Sequence, residues 1–160
     1  VAEARGDTAR ADRLYEAGRA IADSPGAGTE TIQCLCDLGQ LAADVGNRAT
    51  ALTCFKSALA LADSARLDKE AANAASAIGA LYTELGEPER GLAYTLKSSA
   101  VQLINGESPG SDDASSLRRQ RGALGPGRFH KLVTARLHSD QAAAILALVA
   151  DGSTVAAKSL

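Results

Sequence analysis

The stretch LCDLGQLAADVGNRATALTCFKSALALA, residues 35–62, decides the fold. At helical spacing it is two amphipathic helices joined at Gly46-Asn47. The first carries Leu35, Leu38, Ala42 and Val45, and the second Leu52, Phe55, Leu59 and Ala62. Steps of three and four residues place each set on one side of its helix. The small residues Gly39, Ala51 and Ala58 stand where two helix backbones would have to come close. A single helix pair cannot bury both apolar stripes, so this one needs neighbours of the same kind.

The neighbours are in the chain. Gly6, Gly46 and Gly86 recur at intervals of 40 residues. Around them Leu38-Gly39 returns as Ile78-Gly79, Ala51 matches Ala11 and Gly91, and Phe55 matches Tyr15. Thr95 opposite Phe55 and Ser99 opposite Leu59 break the register. Self-similarity at a fixed period predicts a stacked repeat array rather than one domain of unrelated elements.

These residues resemble the tetratricopeptide repeat. That family's pattern is Leu-Gly in the first helix, an aromatic three residues on, Gly at the turn, then Ala, Phe and Ala in the second helix. Leu38-Gly39, Gly46, Ala51, Phe55 and Ala58 fill those places, as do Ile78-Gly79, Tyr82 and Gly86 in the next copy. The first-helix aromatic is Ala42 in one copy, and the terminal Pro of the pattern is absent from both. The period exceeds the family's usual length of about 34 residues, so helices about a turn longer are expected. The resemblance covers residues 1–105. It implies an all-α, right-handed superhelical stack of antiparallel helix pairs with ligands on the concave face, lined by the first helix of each pair. The face-lining places fall on Gln33, Cys36, Gln40 and Asp44 in one copy, and on Asn73, Ser76, Thr83 and Glu84 in the next. These are mostly polar while the other stripe of the same helices is apolar, which suits a wet groove for an extended peptide. The Lys and Asn set by which some family members clamp a terminal carboxylate is absent, which argues against chaperone-tail partners.

The totals agree with closely packed helices. The chain is 46% hydrophobic but only 3% aromatic, with no Trp and no Met, so alanine supplies much of the apolar fraction. Seventeen basic against nineteen acidic residues leave a net charge of −2, a balance that calls for neither nucleic acid nor an anionic membrane. No apolar run approaches the length of a membrane span, and no signal-peptide pattern opens the chain. Three cysteines outside any disulfide spacing suit a reducing, cytoplasmic setting. In the 40-residue register Val1 to Arg5 would finish a helix begun earlier, so a piece of a longer protein is expected.

Residues 106–116, rich in Ser, Gly, Pro and Asp, read as a flexible linker after the repeats. Helices are predicted over 117–124, 128–137 and 141–150, as a degenerate repeat that shields the array's open end. Upstream, Asp7 or Thr8 caps a helix running to about Asp23, Ser24 to Gly28 breaks the chain, and Thr29 caps the helix from Glu30 to Val45.

No reactive constellation emerges. Cys34 and Cys36 point about 200° apart on a helix and cannot share a metal ion. The thiols read as buried and inert, Cys36 excepted because it falls on the face-lining set. His130 and His138 lack the spacing of a helical metal pair and any nearby carboxylate partner, so solvated histidines are expected. Gly122-x-x-Gly125-Pro126-Gly127 lacks a preceding strand and a following Gly-Lys-Ser/Thr, and reads as a helix break rather than a phosphate loop. Arg118, Arg119 and Arg121 read as a solvated face. Ile145-Leu146, Leu148-Val149-Ala150 and Gly152 also resemble one helix of the LuxR-type DNA-binding domain. The recognition helix and a basic face are missing, so nucleic-acid binding is not expected of this segment.

The expectation is therefore a scaffold or sensor module that binds a protein or peptide partner, with no enzymatic activity, no cofactor, no metal and no membrane span. The alternatives are a helical accessory part of a larger transcriptional regulator or enzyme, and a module that self-assembles through its open array ends.

Overall fold

The computed structural model describes residues 28–150, together with Arg13, Glu16 and Ala20, which are helical. The expected first repeat, its Asp7 or Thr8 cap and the tail beyond Ala150 lie outside the described residues. Every regular element among the described residues is an α-helix: α1 (Thr29–Asp44), α2 (Arg48–Ala65), α3 (Asp68–Glu84), α4 (Pro88–Ile104), α5 (Ser111–Leu124), α6 (Pro126–Arg136) and α7 (Ser139–Ala150). The chain divides into two compact units, Val1–Ile78 and Gly79–Leu160, with the boundary inside α3.

The first four of these helices end in the same way. Gly46 (φ +80), Arg66 (φ 56), Gly86 (φ +78) and Gly106 (φ +76) are left-handed residues at 20-residue intervals. After each, the next amide reaches back to close the last turn: Asn47 N to Ala42 O (2.8 Å), Leu67 N to Ala62 O (2.9 Å), Glu87 N to Tyr82 O (2.8 Å) and Glu107 N to Gln102 O (2.9 Å). These bonds satisfy carbonyls that the helix end would leave orphaned. Helices of 16 to 18 residues plus such a turn set the 20-residue beat, half the 40-residue repeat. Helix starts are simpler. Asn47 caps α2 by accepting from Thr50 N, and Pro88 occupies the first turn of α4, where no amide is needed. Thr29 is not the cap of α1: it is already helical, and Gly28 stands at the cap without a side-chain bond.

In the first unit α2 folds back on α1. The buried stripe of α1 is Ile32, Leu35, Gly39 and Ala42, with Leu38 half-buried and Val45 exposed beyond the helix end. On α2 it is Ala51, Cys54, Phe55, Ala58, Leu59 and Ala62. Gly39 lies flat against the Phe55 ring: a Cβ there would stand 2.9 Å from Cε1 and Cζ. An aromatic ring is thus seated in a dent that only glycine leaves.

The second unit repeats the arrangement with different chemistry. Gly79 and Thr95 hold the register places of Gly39 and Phe55. A Cβ on Gly79 would stand 2.4 Å from Thr95 Oγ1, 3.0 Å from Thr95 N and 3.1 Å from Gly91 O, so α3 and α4 touch backbone to backbone. The phenyl ring of the first unit is replaced by polar groups. Thr83 Oγ1 donates to Gly79 O (2.7 Å) and Thr95 Oγ1 to Gly91 O (3.1 Å). Gln120, fully buried on α5, donates from Nε2 to both hydroxyls at 2.9 Å, which leaves its Oε1 without a protein partner. Beyond this bridge, Leu92, Leu96, Leu117, Phe129, Val133, Ala142, Ile145 and Val149 form one apolar core to which α4, α5, α6 and α7 all contribute.

Two expectations about this region are corrected. Residues 111–116 are not linker: α5 begins at Ser111, and Asp113, Ala114 and Ser116 are buried. The Ser-Asp composition is that of a helix start, where carboxylates meet the positive end of the helix. Asp113 Oδ2 accepts from Ser99 Oγ (3.3 Å) and Gln102 Nε2 (3.2 Å), and Gln102 Oε1 accepts from Gly110 N (2.6 Å). The chain from Gly106 to Gly110 is thereby pinned. Second, α6 starts at Pro126, inside the expected glycine-rich break, with Gly125 (φ +80) making the corner.

Candidate functional site

The face-lining residues of the sequence reading do not behave alike. Gln33, Cys36 and Asn73 come together in the first unit, where with Ile32, Phe55 and Glu70 they line a cleft of about 100 Å³. Its floor is apolar, since Ile32 is 1% and Phe55 4% exposed. Gln33 and Asn73 are exposed, and Cys36 and Glu70 half-buried, so amides, a thiol and a carboxylate surround an apolar seat. Both walls follow from local sequence. On α1, Ile32 and Cys36 are a helical turn apart; on α3, Glu70 and Asn73 are three residues apart on the exposed side of an alanine-rich helix.

Size constrains what enters. Ligand pockets usually run to about 300–1,000 Å³, whereas cavities of about 150 Å³ take a benzene ring. A cleft of about 100 Å³ has room for one aliphatic side chain.

Along α1 the expected positions are bonded to one another. Gln33 Nε2 donates to Asp37 Oδ1 (2.9 Å), and Gln40 Nε2 donates to Asp44 Oδ1 (2.7 Å). Gln40 and Asp44 are exposed but do not line the cleft. Ser76 is half-buried and Glu84, the last residue of α3, is exposed. Thr83 is a correction: its hydroxyl is spent on Gly79 O and on the Gln120 amide, so it belongs to the packing of the second unit and not to a ligand face. Sequence reasoning missed Glu70 and Asp37 as neighbours of the cleft. The signal for Asp37 was available, because it lies four residues from Gln33 on the same side of α1.

Burial, and after it the charge of Asp37, pushes the Cys36 thiol up from its ordinary value of 9.0 to about 11. Burial does the same to Cys54, to about 11, with Cys36 adding to the shift. Both are therefore protonated at neutral pH, which suits a weak hydrogen-bonding wall and not a nucleophile. Cys34, expected to be buried, is exposed, as the 200° offset from a half-buried Cys36 requires. Among the described residues no three His, Cys, Asp or Glu side chains are grouped to hold a metal ion. His130, His138, Arg118 and Arg119 are exposed to solvent. No helix among the described residues is long and apolar enough to cross a membrane.

Comparison with protein-family models, with curated proteins and with solved structures finds no match to this chain. Geometry and chemistry alone carry the functional argument.

Proposed function

We propose that this chain is a tetratricopeptide-like stack of helix pairs that binds a partner protein through an extended segment, one side chain of which enters the cleft between α1 and α3. The observation that carries the reading is the convergence of Gln33, Cys36 and Asn73 on one apolar-floored cleft. These residues occupy places that the tetratricopeptide resemblance implies for the ligand face. The four helix ends at 20-residue intervals support the stacked arrangement, as does the matched seating of Gly39 on Phe55 and Gly79 on Thr95. An apolar seat ringed by amide donors and acceptors suits a chain that must bury one side chain and satisfy its own backbone groups nearby.

Selection of displayed 12-residue peptides against the 160-residue chain, with Asn73→Trp as counter-target, tests it. Tryptophan at an exposed helix position fills the cleft mouth without changing charge. Peptides that bind the parent chain and are lost on the variant support the reading; no selected peptide, or equal binding to both, overturns it.

Self-association is less well supported. The exposed large apolar side chains Leu41, Val45, Leu85 and Ile104 sit at or near helix ends, and scattered exposure of this kind is ordinary for a protein surface.

A further inference from the structure

We infer that the partner segment is basic, with lysine or arginine residues flanking the aliphatic side chain that enters the α1–α3 cleft; this rests on the partner-binding reading of that cleft. The helix that forms one wall is electrostatically one-sided. α1 contains Glu30, Asp37 and Asp44 and no Lys, Arg or His, so this one helix is more negative than the whole chain at −2. Glu30, Gln33, Asp37, Gln40 and Asp44 follow one another at steps of three and four and are all exposed. They make a continuous stripe about 21 Å long at the rise of an α-helix. The opposite wall adds Glu70, the acidic side chain among the residues that line the cleft. Between residues 28 and 78 the cations are on other elements: Arg48 and Lys56 on α2, Arg66 at its end, and Lys69 in the first turn of α3. No ion pair among the described residues involves Glu30, Asp37, Asp44 or Glu70.

Helix stability accounts for Glu30 in the first turn and is helped by the Gln33–Asp37 and Gln40–Asp44 bonds, but it does not account for Asp44. Asp44 stands in the last turn of α1, where the negative end of the helix disfavours a carboxylate, and no basic residue offsets it. The two amides are committed to the acids, Gln33 to Asp37 and Gln40 to Asp44, which fixes carboxylate oxygens in place with their remaining lone pairs outward. Asp37 and Asp44 are separated by about 10 Å along the helix axis. An extended peptide covers that distance in about three residues. The recognised pattern is therefore two cations three residues apart, with an aliphatic group beside the first reaching the Ile32–Phe55 floor. A lysine stem can serve as that group, because its methylenes pack while its ammonium stays wet.

The test uses the full chain and fluorescein-labelled 12-residue peptides of equal apolar content and net charge +4, 0 and −4, with spermine as a small polycation, read by anisotropy and competition. The basic peptide should bind best. Its affinity should fall about tenfold on Asp37→Lys/Asp44→Lys, as reversal of two exposed charge contacts would give. It should fall again between low and high salt, and on Asn73→Trp. Equal or better binding of the neutral or acidic peptide, still lost on Asn73→Trp, overturns the basic partner and leaves the cleft reading standing. Binding of no peptide overturns both. If spermine competes at equal charge and the peptide is indifferent to Asn73→Trp, the stripe is a counter-ion surface and the inference fails.

Discussion

Replacement of three glycines by alanine in turn should give three different outcomes, with the sign set by what each new methyl meets. All three lie inside helices, so each replacement gains about 1 kcal/mol of helix propensity. At Gly122 on α5 a Cβ meets nothing within 4 Å, so Gly122→Ala should keep the whole gain. At Gly39 the methyl would stand 2.9 Å from two atoms of the Phe55 ring, which is 4% exposed and hemmed in. Overpacking of that kind costs about 1–3 kcal/mol, so the net loss is about 1 kcal/mol. At Gly79 the obstacles include Thr95 N at 3.0 Å and Gly91 O at 3.1 Å, which are backbone and cannot turn aside. The methyl would also drive into Thr95 Oγ1, the hydroxyl that accepts from Gln120. There α3 and α4 must separate, at a net loss of about 2 kcal/mol or more. Urea unfolding followed by far-UV circular dichroism reads the series. With a slope of about 2 kcal/mol/M, the midpoint should rise by about 0.5 M for Gly122→Ala. It should fall by about 0.5 M for Gly39→Ala and by at least about 1 M for Gly79→Ala. A Gly79→Ala midpoint at or above the parent's would refute the close approach argued for α3 and α4, and a Gly122→Ala midpoint below it would refute the open space argued for Gly122.

Arg66 holds a left-handed conformation that costs an L-residue about 1 kcal/mol or more, so Arg66→Gly should stabilise the chain by about 0.5–1 kcal/mol; an unchanged or lower thermal midpoint counts against the shared helix ending. Gln120→Leu should be close to neutral, because both threonine hydroxyls keep their carbonyl acceptors and an unpartnered buried oxygen is removed. Gln120→Glu places a carboxyl there instead, which should cost about 3–5 kcal/mol when ionised. Burial raises the pKa of the introduced carboxyl, so the loss should shrink as pH falls, and pH-independent melting would contradict the bridge. Iodoacetamide at pH 8 should label Cys34 first, Cys36 more slowly because its thiol is held protonated on the cleft wall, and Cys54 only at the rate of unfolding, as mass spectrometry of tryptic peptides would record. Those two thiols rise from 9.0 to about 11 in the folded chain, so the stability they contribute is intact below pH 9 and is lost as pH climbs toward 11.

Glycine carried most of what the sequence revealed. Gly46 and Gly86 marked helix ends because only glycine enters the left-handed region without penalty, and Gly39 and Gly79 marked close approach because nothing smaller exists. The 20-residue beat stayed hidden because Arg66 fills a glycine's place. The apolar stripes were legible wherever the buried side chain is also apolar, as at Leu35, Phe55 and Ala62. They failed where burial is polar: Thr95, Ser98, Ser99, Asp113, Ser116 and Gln120 are all buried, and no hydrophobic pattern announces them. That is why residues 111–116 read as linker. Of the site, Gln33, Cys36 and Asn73 were places implied by the family resemblance, and so was Thr83, whose hydroxyl is bonded inside the second unit. Register gives the side of a helix, whereas a hydroxyl's partner depends on a residue 37 positions away.

The two broken register positions and the misread linker have one cause. Phenylalanine at 55 fills the dent left by Gly39 from within its own helix pair. Thr95 closes on Gly79 with a hydroxyl instead of a ring, and Gly91, in the place of Ala51, removes the side chain that would stand against the Gln120 amide. The second pair therefore presents hydroxyls where the first presents a ring, and the Gln120 amide bonds to both of them. A hydroxyl pair that already donates to Gly79 O and Gly91 O can only accept from a third group, so a polar group that bonds to both must be a donor with two hydrogens. A glutamine amide meets that need and an isosteric glutamate does not. The helix that supplies it cannot be a loose connection, so α5 is anchored at both ends: at Asp113 through Ser99 and Gln102, and at Gln120 through the two threonines. Loss of the repeat pattern at Thr95 and Ser99 is thus the mark of a pair whose second helix is built to receive α5.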